Sequence, residues 1–169
     1  MDRIVCNPIG VIRSPFLDVE GMPVQPIGAE GVKGTIEMRP DLESGLKDLD
    51  GFSHIMLIYW FHLSGEYSLH VVPFLDRTQR GVFSTRVPRR PNNIGLSVVR
   101  LTNVRGNVLD IEDVDVVDGT PLLDIKPYVP KFDIRNAERA GWFTEKAEDA
   151  KRVKSDARFV AAGKMGRVY

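Results

Sequence analysis

Cysteine is almost absent from this chain of 169 residues, which contains only Cys6. A single cysteine can form neither an intramolecular disulfide nor a cysteine-rich zinc site. Long apolar runs are also missing, because the longest, residues 55–61, is far shorter than the roughly 20 residues that cross a bilayer. Residues 1–4 lack the charged and apolar regions of a signal peptide. We therefore expect a cytoplasmic protein with no membrane segment.

An excess of either charge is missing too, since basic and acidic residues both number 23. With 43% hydrophobic and 27% charged residues, the composition is that of a soluble globular protein and excludes a disordered or coiled-coil chain. The charges are nevertheless unevenly placed. Residues 77–105 hold seven arginines with no lysine or acid, whereas residues 106–124 hold six acids and no base. We expect both neutralisation between neighbouring strands and display of arginines to a ligand. Arg100 and Arg105 are the candidates for the structural role, and Arg86, Arg89 and Arg90 for the binding role.

The common cofactor and metal motifs are absent as well. The chain has no P-loop, no dinucleotide-binding glycine motif and no H-E-x-x-H zinc motif. His54, His62 and His70 recur at intervals of eight, which is too far apart along a strand for the side chains to share a metal. We therefore predict no metal site. His62, which directly follows a predicted strand at the rim of a barrel, is the histidine with the best case for a functional role.

Short apolar segments separated by Gly and Pro turns predict a mainly β protein, an antiparallel β-barrel of short strands. A region with a helical stripe is expected at residues 41–49. The continuous apolar run at residues 55–61 predicts a strand buried on both faces. The predicted strands are residues 4–12, 35–38, 55–61, 67–72, 81–83, 96–101 and 108–114.

The composition changes near the C-terminus, where residues 144–162 contain neither Gly nor Pro. Alanines and Val153 recur there every three or four residues among charged side chains, which predicts an amphipathic α-helix. Its stripe of mostly alanine offers little apolar surface, so we expect it to pack on the barrel or on a second subunit. We accordingly divide the chain into a barrel domain, residues 1–137, and a C-terminal helical extension, residues 138–169.

Two segments do not have the composition of ordinary loops. In residues 81–97, two prolines stiffen a chain that displays Arg86, Arg89 and Arg90, and stiff display reduces the entropy lost on binding. In residues 115–128, the Asp118-Gly119 pair is a strong turn signal, and Asp115 lies just before it. These segments are either rigid solvated crossovers or parts of a binding site.

The same segments carry a family resemblance. Residues 83–86, 90–92 and 94–97 (F-S-T-R, R-P-N, I-G-L-S) resemble the TsaA-like family of small S-adenosylmethionine-binding β-barrels. Residues 118–128 (D-G-T-P-L-L-D-I-K-P-Y) are similar to the second block of that family, and residues 9–15 and 52–54 to its opening and middle elements. The resemblance covers roughly residues 4–135.

The resemblance implies an enzyme of the TrmO type, an S-adenosylmethionine-dependent tRNA (adenine(37)-N6)-methyltransferase. Its substrate would be the adenosine just 3′ of the tRNA anticodon, on a base that already carries a threonylcarbamoyl group. A homodimer is also implied, with a cofactor cleft that draws on both subunits. Two alternatives are a non-catalytic S-adenosylmethionine- or RNA-binding barrel and a methyltransferase for a small molecule, because a barrel fold alone does not set function.

The resemblance also implies which residues form the site. From the chemistry of these side chains, Asp115 can accept from cofactor hydroxyl or amino groups, and Arg86 can pair with the cofactor carboxylate. Because the acceptor N6 loses a proton, we expect either His62 or Asp115 to act as the base. Arg89 and Arg90 would bind RNA phosphate, which makes binding sensitive to salt. The implied cofactor contacts are Gln25, Pro26, Ile27, Phe61, His62, Arg86, Leu96, Glu112, Asp113, Val114 and Asp115, with Ile27, Phe61 and Leu96 around the adenine.

The chain departs from the usual family sequence at three positions within residues 81–97, which we call the arginine segment. Val87, Arg89 and Asn93 stand where the family usually has serine, asparagine and proline. Val87 removes a hydroxyl donor, and Asn93 is expected to loosen the loop.

Overall fold

The computed structural model describes residues 4–161, and six antiparallel strands close a barrel within them in the order β1-β2-β7-β6-β3-β8. A separate pair of two-residue strands, β4 and β5, lies outside the barrel. The strands are β1 (Gly10–Arg13), β2 (Lys33–Met38), β3 (His54–Trp60), β4 (His70–Val71), β5 (Arg80–Gly81), β6 (Ile94–Arg105), β7 (Val108–Glu112) and β8 (Thr120–Pro127). The predicted mainly β, antiparallel barrel is confirmed.

Alternating side chains fill the barrel, as the two-residue period of a strand requires. On β7, Leu109 and Ile111 point inward and are fully buried, while Asp110 forms an ion pair with Arg105 at 2.7 Å on the outside. The core is a single cluster of apolar side chains from all six strands. Neutralisation between the arginine-rich and acidic segments is therefore confirmed for Arg105 and Asp110, which lie on paired strands.

Strand β3 differs from its prediction. Ile55, Leu57 and Tyr59 are buried, but Trp60 at the end of the strand is 43% exposed. The strand has hydrogen-bonded neighbours on both edges, β6 and β8, yet only one face of it is turned into the barrel. The expectation of burial on both faces is wrong because no second layer covers this outer face within residues 4–161.

The predicted C-terminal helix is also not formed. Residues 141–161 make three short 3₁₀ turns, Gly141–Glu145, Ala147–Lys151 and Ala157–Phe159, with isolated β-bridges at Lys154 and Val160. The backbone hydrogen bonds of residues 143–153 are local and mostly of the 3₁₀ type, whereas Ser155, Phe159 and Ala161 pair with the loops around residues 21–22 and 63–65. A stripe of mostly alanine supplies too little apolar surface to hold a continuous helix. Ala162, the last residue of the predicted helix, lies outside the described residues. The division at residue 137 stays a prediction.

Two smaller differences concern β8 and residues 41–49. The sequence does not predict β8, because Pro121 and Pro127 suggest a loop. They occupy the second and last positions of the strand, close to its two ends. Residues 41–49 form 3₁₀ turns (Pro40–Leu46 and Leu49–Gly51), and the described chain has a single four-residue α-helix, α1 (Pro130–Asp133).

Candidate active site

A cavity of about 390 Å³ lies at one edge of the barrel. Strands β3 and β6 are antiparallel, so the end of β3 and the start of β6 meet at this edge, where Trp60 is paired with Ile94. The segment after β7 reaches the same place and brings Asp115 beside the start of β6. The remaining sides are lined by the arginine segment and by parts of residues 19–25, 73–75 and 142–160.

Of the eleven implied cofactor contacts, six line this cavity and five do not. The six are Gln25, Phe61, His62, Arg86, Leu96 and Asp115. Pro26 and Ile27 lie in the next 3₁₀ turn (Pro26–Gly28), where Ile27 is 54% exposed. Val114 is buried in the barrel core, Glu112 ends β7, and Asp113 accepts a hydrogen bond from the Gly31 amide at 2.8 Å.

Asp115 is held by a short chain of hydroxyl groups. Ser97 Oγ donates to Asp115 Oδ1 at 2.7 Å, and the Tyr59 hydroxyl lies 3.0 Å from Ser97 Oγ. A serine hydroxyl carries one hydrogen, so Tyr59 donates to Ser97 and Ser97 donates to Asp115. Burial raises the pKa of Asp115 to about 6, against the opposing effects of the Ser97 hydrogen bond and the Arg86 charge. Burial also raises the pKa of Tyr59, and the Asp115 charge adds to this.

Tyr59 reaches this position because a glycine faces it on the next strand. Tyr59 and Gly95 are cross-strand partners, and a Cβ atom on Gly95 would lie 2.2 Å from Tyr59 Cε2. The ring therefore lies across the bare backbone of Gly95, with its hydroxyl over Ser97 two residues further along β6. The sequence does not point to Tyr59 or Ser97 as site residues, because their meeting depends on the register between β3 and β6.

Arg86 and Gln25 form a polar pair at the cavity. Arg86 Nη1 donates to Gln25 Oε1 at 2.7 Å, which joins two segments 61 residues apart in sequence. The Arg86 side chain is exposed, so part of its charge faces solvent. This pair places a guanidinium group and an amide on the same cavity as the Asp115 carboxylate.

His62 lies at the rim, as its position after β3 predicts. Its backbone amide donates to the Trp60 carbonyl at 2.8 Å, and its ring lies 6.5 Å from the Trp60 ring. The residue is half-buried. It therefore lines the cavity together with Asp115, and the structure keeps both candidates for a base in one site.

Arg89 and Arg90 both donate to backbone carbonyls. Arg90 Nη1 reaches the Val82 and Thr85 carbonyls at 3.1 and 2.8 Å, and Arg89 Nη2 reaches Val160 at 3.1 Å. Only Arg90 of the two lines the cavity. These hydrogen bonds hold the two guanidinium groups in place. Binding of RNA phosphate by Arg89 and Arg90 stays a prediction.

Asn93 tightens the arginine segment, against the expectation that it loosens it. Its backbone adopts a left-handed conformation, with φ of 45°, which proline cannot reach. Asn93 Oδ1 accepts from the Arg90 amide at 3.2 Å, and its carbonyl accepts from the Phe61 amide at 2.8 Å. Asparagine is one of the few residues, with glycine and aspartate, that tolerate this conformation.

No group of three His, Cys, Asp or Glu residues within residues 4–161 is arranged to hold a metal ion. None of the helices in that part of the chain is long and apolar enough to cross a membrane.

Comparison with known proteins finds one protein family along most of the chain. The family of the tRNA-methyltransferase O N-terminal domain matches residues 11–134. A Pyrococcus abyssi protein called "Probable S-adenosyl-L-methionine-binding protein" is 48% identical over 157 residues, which are 92% of this chain and 85% of that protein.

Two further relatives are longer than this chain. The tRNA (adenine(37)-N6)-methyltransferase of Mus musculus is 38% identical over 138 residues, covering 78% of this chain and 32% of the mouse protein. A crystal structure of TrmO from Pseudomonas aeruginosa superposes with a TM-score of 0.70 at 38% identity, covering 83% of this chain and 63% of that one. This chain therefore spans about a third of the mouse protein and just under two thirds of the Pseudomonas chain.

Proposed function

The chain belongs to the tRNA-methyltransferase O family, and on this basis we propose that it transfers a methyl group from S-adenosyl-L-methionine to tRNA. The acceptor is N6 of the adenosine just 3′ of the anticodon, on a base that carries a threonylcarbamoyl group. The observation that carries this proposal is a mostly apolar cavity lined by the Asp115 carboxylate, which accepts a hydrogen bond from Ser97, itself bonded to the Tyr59 hydroxyl.

The residues present fit S-adenosyl-L-methionine. A cavity of about 390 Å³ is within the range of small-ligand sites, and most of its lining is apolar. Phe61 and Leu96 offer flat and branched apolar surfaces to an adenine ring, and Asp115 accepts from hydroxyl or amino groups. Arg86 can bind a carboxylate through two parallel hydrogen bonds.

Bound S-adenosyl-L-methionine supplies an electrophilic methyl group on a sulfonium centre. The protein's part is to place the acceptor nitrogen in line and to keep water out, and positioning of this kind accounts for a large share of such accelerations. The acceptor N6 loses one proton as it gains the methyl group. We propose that the Asp115 carboxylate takes this proton, with His62 as the second candidate.

The experiment that tests the function is nucleoside mass spectrometry. Threonylcarbamoylated tRNA without the methyl group is incubated with the purified protein and S-adenosyl-L-methionine, and the digested nucleosides are analysed. A methylated threonylcarbamoyl-adenosine supports the proposal. Cofactor binding without any RNA product supports the binding-module alternative, and methylation of a small molecule without any RNA product supports the small-molecule methyltransferase.

Arg86→Ala is expected to weaken the binding of S-adenosyl-L-methionine by about 1.5–3 kcal/mol, the usual range for a hydrogen bond to a charged group. The measurement is isothermal titration calorimetry of the purified protein. Arg77→Ala is the matched control, because Arg77 is an exposed arginine outside the cavity lining. An Arg86→Ala variant that binds as tightly as the control would remove Arg86 from the cofactor site.

We propose that tRNA lies against the arginine segment, where Arg89 and Arg90 keep two positive charges beside the cavity. Binding of tRNA should then weaken with added salt, and neutralising one phosphate-binding arginine should reduce the slope of log K against log salt by about one. An unchanged slope in Arg90→Ala would show that this arginine binds no phosphate.

We also propose that the protein acts as a homodimer in the cytoplasm. The outer faces of β3 and β6 carry Trp60, Ile94 and Leu96, which are 43%, 44% and 59% exposed. Trp60 is paired with Ile94 across these strands, and both Ile94 and Leu96 also line the cavity. A second subunit on this face would therefore lie beside the cofactor site. Light scattering should give twice the chain mass of 19.0 kDa, and a monomer would contradict the dimer.

A further inference from the structure

Residues 152–161, which we call the C-terminal strap, run across three loops of the cavity. The strap lies beyond residues 11–134, the part of the chain that matches the family. Four of its residues, Ser155, Asp156, Phe159 and Val160, line the same cavity as Asp115 and Arg86. It forms isolated β-bridges at both ends, from Lys154 to Pro23 and from Val160 to Ser64.

Backbone hydrogen bonds attach the strap to two loops that carry predicted site residues. The Ser155 amide donates to the Met22 carbonyl at 2.8 Å, three residues before Gln25. The Ala161 amide donates to the Leu63 carbonyl at 3.0 Å, next to His62. The strap thus fixes the loops before Gln25 and after His62 relative to each other.

Arg89 fastens the strap from the third loop. Its Nε donates to the Phe159 carbonyl at 3.3 Å and its Nη2 to the Val160 carbonyl at 3.1 Å. The guanidinium group lies flat on Gly65, where a Cβ atom would be 3.0 Å from Nη2 and 3.1 Å from Nε. The Gly65 amide in turn donates to the Phe159 carbonyl at 3.1 Å.

Apolar packing completes the attachment. Phe159 is 7% exposed and belongs to a small cluster, separate from the barrel core, with Val71, Val82 and Val87. Its ring meets the edge of Phe74 at a centroid distance of 5.0 Å. The strap thus contributes no residue to the barrel core but four to the lining of the cavity.

We propose that the strap is one wall of the ligand site within a single chain and that Arg89 is a positioning residue that holds this wall in place. Arg89 acts through the Phe159 and Val160 carbonyls and not by touching the cofactor. This inference rests on the proposed function for the identity of the ligand, S-adenosyl-L-methionine. Loss of the Arg89 hydrogen bonds should make the strap more mobile and weaken binding of the ligand without unfolding the barrel.

Two variants of the full chain test the proposal by different routes. Arg89→Lys keeps the positive charge but loses the planar guanidinium group that donates to the Phe159 and Val160 carbonyls. Gly65→Ala keeps the arginine, but its added Cβ atom displaces the guanidinium group. Arg152→Ala is the control, since Arg152 is exposed on the same strap. The readouts are hydrogen–deuterium exchange of the amides of residues 155–161 and calorimetric affinity for S-adenosyl-L-methionine.

We expect faster exchange in the strap for both test variants, unchanged exchange in the barrel strands, and affinity roughly ten-fold weaker, as for loss of one charge-assisted hydrogen bond. Arg152→Ala should match the wild type. Strap exchange equal to that of the wild type, or faster exchange with unchanged affinity, would overturn the proposal. Wild-type protein that binds no S-adenosyl-L-methionine would instead contradict the proposed function, while the contrast in strap exchange would still support the Arg89 contact.

Discussion

Replacing Asp115 with asparagine is expected to slow methyl transfer by roughly 10²- to 10⁴-fold, the usual contribution of a general base. Asparagine keeps the size of the side chain and an oxygen that can accept from Ser97 Oγ, but it cannot take the proton that leaves N6. The loss should therefore fall on the rate of the chemical step. Single-turnover measurements with saturating cofactor and tRNA separate this step from binding and product release.

The pH dependence gives this prediction a second readout. Burial raises the pKa of Asp115 to about 6, so the charged, proton-accepting form becomes dominant only above that value. The wild-type rate should rise from about pH 5 to pH 7 and then level off, as expected one unit on each side of a single pKa. The Asp115→Asn variant should lose this rise.

As the pH rises, the contribution of Asp115 to stability should fall while its contribution to activity rises. Because folding raises the pKa of Asp115 from its ordinary value of 3.8, its contribution to stability is fully present below pH 3.8 and is lost as the pH rises through about 6. Asp115→Asn should thus have a higher free energy of unfolding than the wild type above pH 6, on the order of 1–3 kcal/mol, and the gap should close toward pH 4. A variant that is slow because it is misfolded would be less stable at every pH.

His62→Ala decides between the two candidate bases. If Asp115 is the base, His62→Ala should retain a pH profile with the same rise near pH 6. Full turnover in Asp115→Asn together with its loss in His62→Ala would assign the base to His62. Asp115 and His62 line the same cavity, so these variants test which of the two residues takes the proton.

Local patterns in the sequence were sufficient for most of the barrel. Alternation on β7 correctly places Leu109 and Ile111 inside, and the arginine-rich and acidic segments do pair, through Arg105 and Asp110. Strand β8 could not be predicted, because the effect of a proline in a strand depends on whether its missing N–H is needed by a neighbour. The pattern of the strap predicts a helix for a similar reason, since its backbone hydrogen-bond partners in other loops are more than 90 residues away in sequence.

In the candidate site, too, some residues can be predicted from the local sequence and others only from contacts between distant segments. Arg86, His62 and Asp115 are recognisable from the segments that carry them, and the structure brings them to one cavity. Tyr59 and Ser97 are not, because an ordinary strand tyrosine and serine acquire a role only when the β3–β6 register sets them beside Asp115. Of the departures from the usual family sequence, Val87 belongs to the same apolar cluster as Phe159, and Arg89 donates to the Phe159 carbonyl, which no local pattern reveals.

The register between β3 and β6 also predicts the most damaging small substitution in the site. Gly95→Ala would place a Cβ atom 2.2 Å from Tyr59 Cε2 and 2.5 Å from Cζ. Tyr59 is only 4% exposed and packs in the barrel core, so its ring cannot swing away without disturbing its neighbours. Overpacking of this kind should lower the free energy of unfolding by about 3 kcal/mol, measured by chemical denaturation.

Gly95→Ala should also reduce turnover at least ten-fold, because the displaced Tyr59 ring withdraws the hydroxyl that donates to Ser97 and so misplaces Asp115. Gly81→Ala is the matched control: Gly81 has a negative φ, and nothing lies within 4 Å of the added Cβ. Adding Tyr59→Leu to Gly95→Ala should recover stability relative to the sum of the two single changes, because the smaller side chain removes the clash. It should not recover turnover, because leucine has no hydroxyl. Additive losses of stability in the double variant would mean that the ring of Tyr59 is not what confines position 95 to glycine.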